Sequence, residues 1–124
     1  MAPVVLVVDD EADFLATYER LLRRHGYRTV AAGSRQAALA ALEGEPLALI
    51  IADLRLPDGD GLDVVRAARA RLHPPPVIVV TGFASAQSRR QALEAGATAY
   101  LAKPFSTSAL TSLVRETLAS PPPA

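Results

Sequence analysis

The sequence has no cysteine and only one lysine. Without cysteine there can be neither disulfides nor thiolate metal ligands, a composition that suits a reducing compartment. Neither sign of charge is in excess, since thirteen basic side chains face thirteen acidic ones. No global field therefore draws the chain to nucleic acid or to an anionic membrane, and any charge-based function must be local. No apolar run approaches the roughly 20 residues needed to span a bilayer. Met1-Ala2-Pro3 leads into the first apolar run with no basic n-region or cleavage site. Heptads, a basic patch and a DNA-reading helix are all missing. These absences leave a soluble cytoplasmic protein as the expectation. What remains is 124 residues, half of them hydrophobic, which is enough for one domain with its own core and too apolar for disorder.

Short β-rich runs alternate with longer stretches of helical period, the signature of a parallel sheet wrapped by helices. The pattern predicts five such pairs. A strand at Val4–Val8 precedes a helix from Glu11 to His25, with Phe14, Leu15, Tyr18, Leu21 and Leu22 on one face and Gly26 as its stop. Arg28–Ala31 is a short strand, and Ser34 caps a helix with Ala38, Leu39, Ala41 and Leu42 inward. A third apolar run, Leu47 to Ala52, ends in Asp53. Leu56 to Gly61 reads as a loop, and Asp60 as the cap of a third helix, with Asp63 completing a weak capping box. Val77–Val80 ends in Thr81, and a fourth helix, about Ser85 to Glu94, is so poor in apolar residues that loose anchoring is expected. Thr98–Ala102 is the last strand. Ser106 caps a final helix burying Leu110, Leu113, Val114, Thr117 and Leu118. The domain is placed at residues 1–119, with 120–124 as a proline-rich tail or linker.

Twelve of the thirteen basic residues are arginine, so the single Lys103 calls for a reason of its own. An ammonium on a flexible stem is a point donor, where a guanidinium is a rigid fork. Asp9, Asp10, Asp53, Thr81 and Lys103 all stand at strand ends, where an open parallel sheet places its functional crevice. Each has an ordinary use, as a helix cap or a turn residue, but five at matching ends can converge on one pocket, which makes five separate ordinary uses improbable. Crowded carboxylates repel unless a cation joins them, and ligands limited to oxygen favour a hard ion such as Mg²⁺. A carboxylate beside Mg²⁺, with a hydroxyl and an ammonium nearby, is arranged to attack phosphorus. Asp53 stands alone and is the nucleophile candidate, while adjacent Asp9 and Asp10 are candidate metal ligands.

With these residues in place, the sequence resembles the receiver domain of two-component response regulators over essentially its whole length. The resemblance rests on Val7-Val8-Asp9-Asp10-Glu11, Ala52-Asp53-Leu54-Arg55-Leu56-Pro57, Val80-Thr81-Gly82, Tyr100 and Lys103-Pro104-Phe105. It implies a flavodoxin-like, doubly wound, five-stranded parallel sheet of order 2-1-3-4-5 with five helices. It also implies Asp53 as phosphoacceptor, Asp9, Asp10 and the Arg55 carbonyl around Mg²⁺, and a cis bond before Pro104. A histidine kinase or phosphotransfer protein would donate the phosphoryl group, and Thr81 and Tyr100 would report it. The reporting face, helix four, strand five and helix five, would control a partner, an output domain or a homodimer, with no direct nucleic-acid binding and no membrane. Val80–Gly82 and Glu94–Ala97 look most like receivers attached to transcription regulators. The loop Pro57-Asp58-Gly59-Asp60-Gly61 is more acidic than the usual form, and the Arg55 side chain and Phe83 lie where they could screen the phosphoryl group from water.

Other readings are weaker. Asp58 to Asp63 fails as a calcium loop because Leu62 occupies a ligand position, and no Gly-rich phosphate cradle follows the first strand. His25 and His73 read as helix-end partners, and Tyr18 and Tyr27 as core and edge residues. The rival function is an aspartate-nucleophile phosphohydrolase acting on an external substrate. Such an enzyme would need a substrate-covering cap, which no insertion here is long enough to build.

Overall fold

A computed structural model describes residues 2–119 of the chain, so the expected tail at 120–124 lies outside the described residues. The elements in order are β1 (Val4–Val8), α1 (Ala12–Arg24), β2 (Arg28–Ala32), α2 (Arg35–Leu42), β3 (Leu49–Asp53), α3 (Leu62–Arg69), β4 (Val77–Thr81), α4 (Ala86–Ala95), β5 (Ala99–Ala102) and α5 (Thr107–Ala119). The five strands form one parallel sheet in the order β2-β1-β3-β4-β5. This is the expected doubly wound, flavodoxin-like arrangement.

Every residue of β1, β3 and β4 is buried, which is why these strands read as unbroken apolar runs and not as alternating ones. Alternation is still present, divided between two cores. Val5, Val7, Leu49, Ile51, Ile78 and Val80 face α1 and α5. Leu6, Val8, Ile50, Ala52, Val77 and Val79 face α2, α3 and α4. Burying each Val, Leu or Ile contributes about 1.5–3 kcal/mol, so these central strands fix the register that aligns the strand ends.

Several boundaries move by a residue. Glu11 and His25 flank α1 as caps and do not belong to it, and β2 runs one residue further, to Ala32. The loop after Asp53 contains a two-residue antiparallel ladder, Arg55–Leu56 with Gly59–Asp60. The N-cap of α3 is Gly61 and not the expected Asp60, which stands one residue earlier and accepts from the Leu62 N–H through its Oδ1 at 2.9 Å. Asp63, however, closes no capping box; its carboxylate goes to Arg35 and Arg66. Its cationic neighbours outcompete the neutral amide, because charge-assisted hydrogen bonds are the stronger kind. A full capping box occurs instead on α4, between Ser85 and Ser88.

Candidate functional site

Lys103 lies where the ends of β1, β3 and β5 meet. Its Nζ donates to Asp9 Oδ2 at 2.7 Å and to Asp53 Oδ2 at 2.9 Å, with Glu11 Oε1 at 3.7 Å. Only 7% of its side chain is exposed, so the ammonium is largely removed from water. Each buried carboxylate spends its other oxygen on a backbone amide, Asp9 Oδ1 on the Glu11 N–H (2.9 Å) and Asp53 Oδ1 on the Arg55 N–H (3.1 Å). Burial pulls the Lys103 ammonium down, but the hydrogen bonds and charges of Asp9 and Asp53 more than offset this and hold it above the usual 10.5. Among the described residues no buried side-chain nitrogen or oxygen lacks a partner.

The ammonium also has an aromatic seat that the sequence did not disclose. It stands 3.8 Å from the centre of the Phe14 ring, within cation–π range. Phe105 stacks on Tyr18 with centroids 6.1 Å apart, and Phe14 is 6.2 Å from Phe105. Three of the chain's six phenylalanines and tyrosines thus cluster here, with Phe14 placed against its only lysine and Phe105 and Tyr18 packed behind that ring. Burial, followed by the negative charges of Asp9, Asp53 and Glu11, pushes the Tyr18 phenol well above its ordinary value of 10.0.

Acids outnumber the one cation. Carboxylate oxygens of Asp9, Asp10, Glu11 and Asp53 lie within 4.8 Å of one another. Like charges about 4 Å apart repel by about 4 kcal/mol at an effective dielectric of 20, and one ammonium cannot neutralise four acids. The donor set is oxygen-only and mostly carboxylate, which fits a hard divalent cation of the Mg²⁺ type. Glu11 is the member of this cluster that was not singled out as a ligand candidate, though it directly follows the acidic pair.

The remaining predicted residues fall into place by register. Asp53 pairs with Val80, next to the fully buried Thr81, and Thr81 pairs with Ala102, next to Lys103. Thr81 Oγ1 accepts from the Phe83 N–H at 3.1 Å, which leaves its own hydroxyl proton free for another acceptor. Tyr100 is set two residues back from the end of β5, half-buried, with its hydroxyl bonded to Ser88 Oγ on α4. The Lys103–Pro104 peptide is cis, as expected. Arg55 and the exposed Phe83 meet over the site, with the guanidinium carbon 3.6 Å from the ring centre. Gly61 is required by the close approach of the Asp53 backbone, because a Cβ there would lie 2.0 Å from the Asp53 carbonyl oxygen. His25 caps its own helix through Leu21 O (2.9 Å), Tyr18 is buried in the core, and exposed His73 is remote from the acids. None of the three belongs to the site.

The fold recurs in known proteins. The Response regulator receiver domain family model matches residues 5–115. The transcriptional regulatory protein PrrA of Mycobacterium tuberculosis is 42% identical over 118 residues, covering 94% of this chain and 50% of PrrA. This chain therefore spans about half the length of that relative. A CheY-like receiver from Methanospirillum hungatei superposes with a TM-score of 0.88 at 32% identity, over 95% of this chain and 94% of the other. A Burkholderia pseudomallei response regulator with a phosphorylated aspartic acid, a calcium ion and citrate superposes at 0.81 with 30% identity, over 94% and 73%. A family match from the first buried strand to the last helix, with the same fold in the solved receivers, leaves one conclusion: this chain belongs to the receiver domains of two-component response regulators.

Proposed function

We propose that the chain is a phosphorylation-activated signalling switch in which Asp53 accepts a phosphoryl group from a phosphohistidine of a histidine kinase or phosphotransfer protein. The observation that carries this reading is the three-way contact of Lys103 with Asp9 and Asp53 inside the acid cluster. It presents one carboxylate to an incoming group while compensating the others.

Asp9, Asp10, Asp53 and the Arg55 carbonyl would hold Mg²⁺, with Glu11 close by. When bound, the ion supplies positive charge to the phosphoryl oxygens. In the transfer an Asp53 oxygen attacks phosphorus, the phosphorus–nitrogen bond breaks, and its electron pair stays on the imidazole nitrogen, which takes up a proton. Lys103 keeps its bond to Asp9 and turns its second donor from Asp53 towards a phosphoryl oxygen. The Thr81 hydroxyl donates to another, drawing the β4–α4 loop inward and vacating space for Tyr100. The face of α4, β5 and α5 then changes, and a partner, an output domain or a second copy of the chain reads it. The phosphoryl group must favour the active state by a few kcal/mol for this to work.

Enzymatic action on an external substrate has no matching feature, since the connections among the described residues leave no cover for one. The chain's own catalysis is confined to phosphoryl uptake and slow self-hydrolysis. Incubation with Mg²⁺ and a small phosphodonor should add one phosphoryl mass, absent in Asp53→Asn and in chelator. An equal gain in Asp53→Asn would overturn the assignment, and sustained turnover of a phosphomonoester would favour the hydrolase.

A further inference from the structure

The loop that follows Asp53 is held from outside the acid cluster. Asp58, at its tip, lies across the N-terminus of α2. Its Oδ1 accepts from the Arg35 N–H at 2.6 Å and its Oδ2 from the Gln36 N–H at 2.9 Å. These are two of the amides that a helix leaves without an internal partner, and a third, from Ala37, donates to Ser34 Oγ at 3.0 Å. The cap on α2 is thus completed by a carboxylate 23 residues away.

The Arg35 side chain runs the opposite way. It crosses Gly59, and its Nε donates to Asp63 Oδ2 in the first turn of α3 at 2.8 Å. A Cβ on Gly59 would lie 2.7 Å from Arg35 Cδ, and φ there is +153°, a backbone conformation that favours glycine. The hydrogen bond from Gln36 N–H to Asp58 and the one from Arg35 to Asp63 each hold a carboxyl below its usual 3.8. A lone exposed ion pair contributes little. Here two carboxylates, two helix amides, a guanidinium and a steric fit close one network across three elements. The hairpin between those ends carries Arg55, which pairs with Asp60 in the ladder and donates its N–H to Asp53.

We infer that Arg35 and Asp58 are positioning residues for the cation site: they clamp the hairpin to the β2–α2 junction and so fix where the Arg55 carbonyl points. The inference rests on the reading above that this carbonyl faces the cation. The acidic Pro57-Asp58-Gly59-Asp60-Gly61 loop is then explained by its partner, with Asp58 for the amides and Gly59 for the arginine. A positioning role predicts weaker cation binding with undiminished chemistry once the cation saturates.

The test is Mg²⁺ titration by calorimetry, paired with phosphoryl uptake from a small phosphodonor across Mg²⁺ concentrations. Arg35→Ala and Asp58→Ala should each weaken Mg²⁺ binding by roughly tenfold, the scale on which outer contacts orient metal ligands. The half-saturating Mg²⁺ for uptake should rise equally, with the rate at saturation within about twofold of the parent. Asp58→Asn, which keeps one acceptor oxygen, should fall between. The double variant should lose less than the product of the singles. Arg71→Ala, which breaks a remote exposed pair with Glu43, should change nothing. If the parent binds Mg²⁺ and both alanine variants bind it equally well, or if the saturating rate falls with affinity unchanged, the clamp has no positioning role. If the parent neither binds Mg²⁺ nor takes a phosphoryl group, the proposed function itself fails and the inference falls with it.

Discussion

The hydroxyls of Tyr100 and Ser88 share a hydrogen bond that ties β5 to the first turn of α4. Ser88 Oγ also accepts from the Ser85 N–H at 3.1 Å and lies 3.2 Å from Ser85 O, so the tyrosine is bonded to the very group that caps the helix. Little else holds α4, whose one fully buried residue is Ala92. A Tyr100 that turns inward must give up Ser88, and the start of α4 loses a support in the same movement.

Ser88→Ala and Tyr100→Phe should each loosen the first turn of α4 in the unphosphorylated chain. One hydrogen bond contributes about 1 kcal/mol, so amide exchange there should quicken roughly fivefold, and the double variant should go little further. Exchange measured by NMR that stays at the parent rate in both variants would show that the bond holds nothing.

Lys103→Met should leave two buried carboxylates without their cation, a change that costs about 3–5 kcal/mol when a buried pair is broken. Chemical denaturation should show the loss at neutral pH, and Mg²⁺ should recover part of it. Lys103→Arg keeps the charge but brings a planar fork against Phe14. Phosphoryl uptake should fall about ten- to a hundredfold, the scale of a charged hydrogen bond. Uptake at the parent rate in Lys103→Arg would mean that the point donor is not needed.

The pH dependence has opposite signs at the two ends of the scale. Lys103 is held above 10.5 in the folded chain, so its stabilisation is complete below 10.5 and is lost only as pH rises through the folded value. Asp58 and Asp63 are held below 3.8, so theirs is present above 3.8 and is lost as pH falls through the folded values. Denaturation midpoints should show no step from these groups between about pH 6 and pH 9. Lys103→Met should lack the alkaline step of the parent, and a parent that loses stability in the neutral range would contradict these assignments.

Phe83→Ala should shorten the life of the acyl phosphate by removing the ring beneath the Arg55 guanidinium. An exposed cation–π contact is worth about 0.5–1 kcal/mol, which corresponds to a two- to fivefold faster loss of phosphoryl mass. A lifetime equal to that of the parent would remove Arg55 and Phe83 as a screen.

Much of this was legible in the chain itself, for a physical reason. Strands buried on both faces must be apolar throughout, so Val4–Val8 and Val77–Val80 announce themselves, and the polar residue that ends each run marks the crevice. Side-chain partners distant in sequence were not legible. Nothing near Lys103 points to Phe14, and nothing near Asp58 points to the amides of Arg35 and Gln36. The expected Asp63 capping box failed for the same reason, because a local pattern could not register an arginine 28 residues away. The short ladder within the loop after Asp53 was hidden by residues that ordinarily signal turns, Pro57, Asp58 and Gly59.

The bond between Asp9 and Lys103 joins residues 94 positions apart. A growing polypeptide emerges from its N-terminus, so Asp9, Asp10 and Asp53 are all translated long before the one cation that answers them. Until β5 docks, those acids lack the ammonium that offsets their repulsion, and closing so long a loop is slow compared with forming local helices. The pocket should therefore be among the last features to consolidate on the ribosome, and a nascent chain released before position 103 would be unable to complete it.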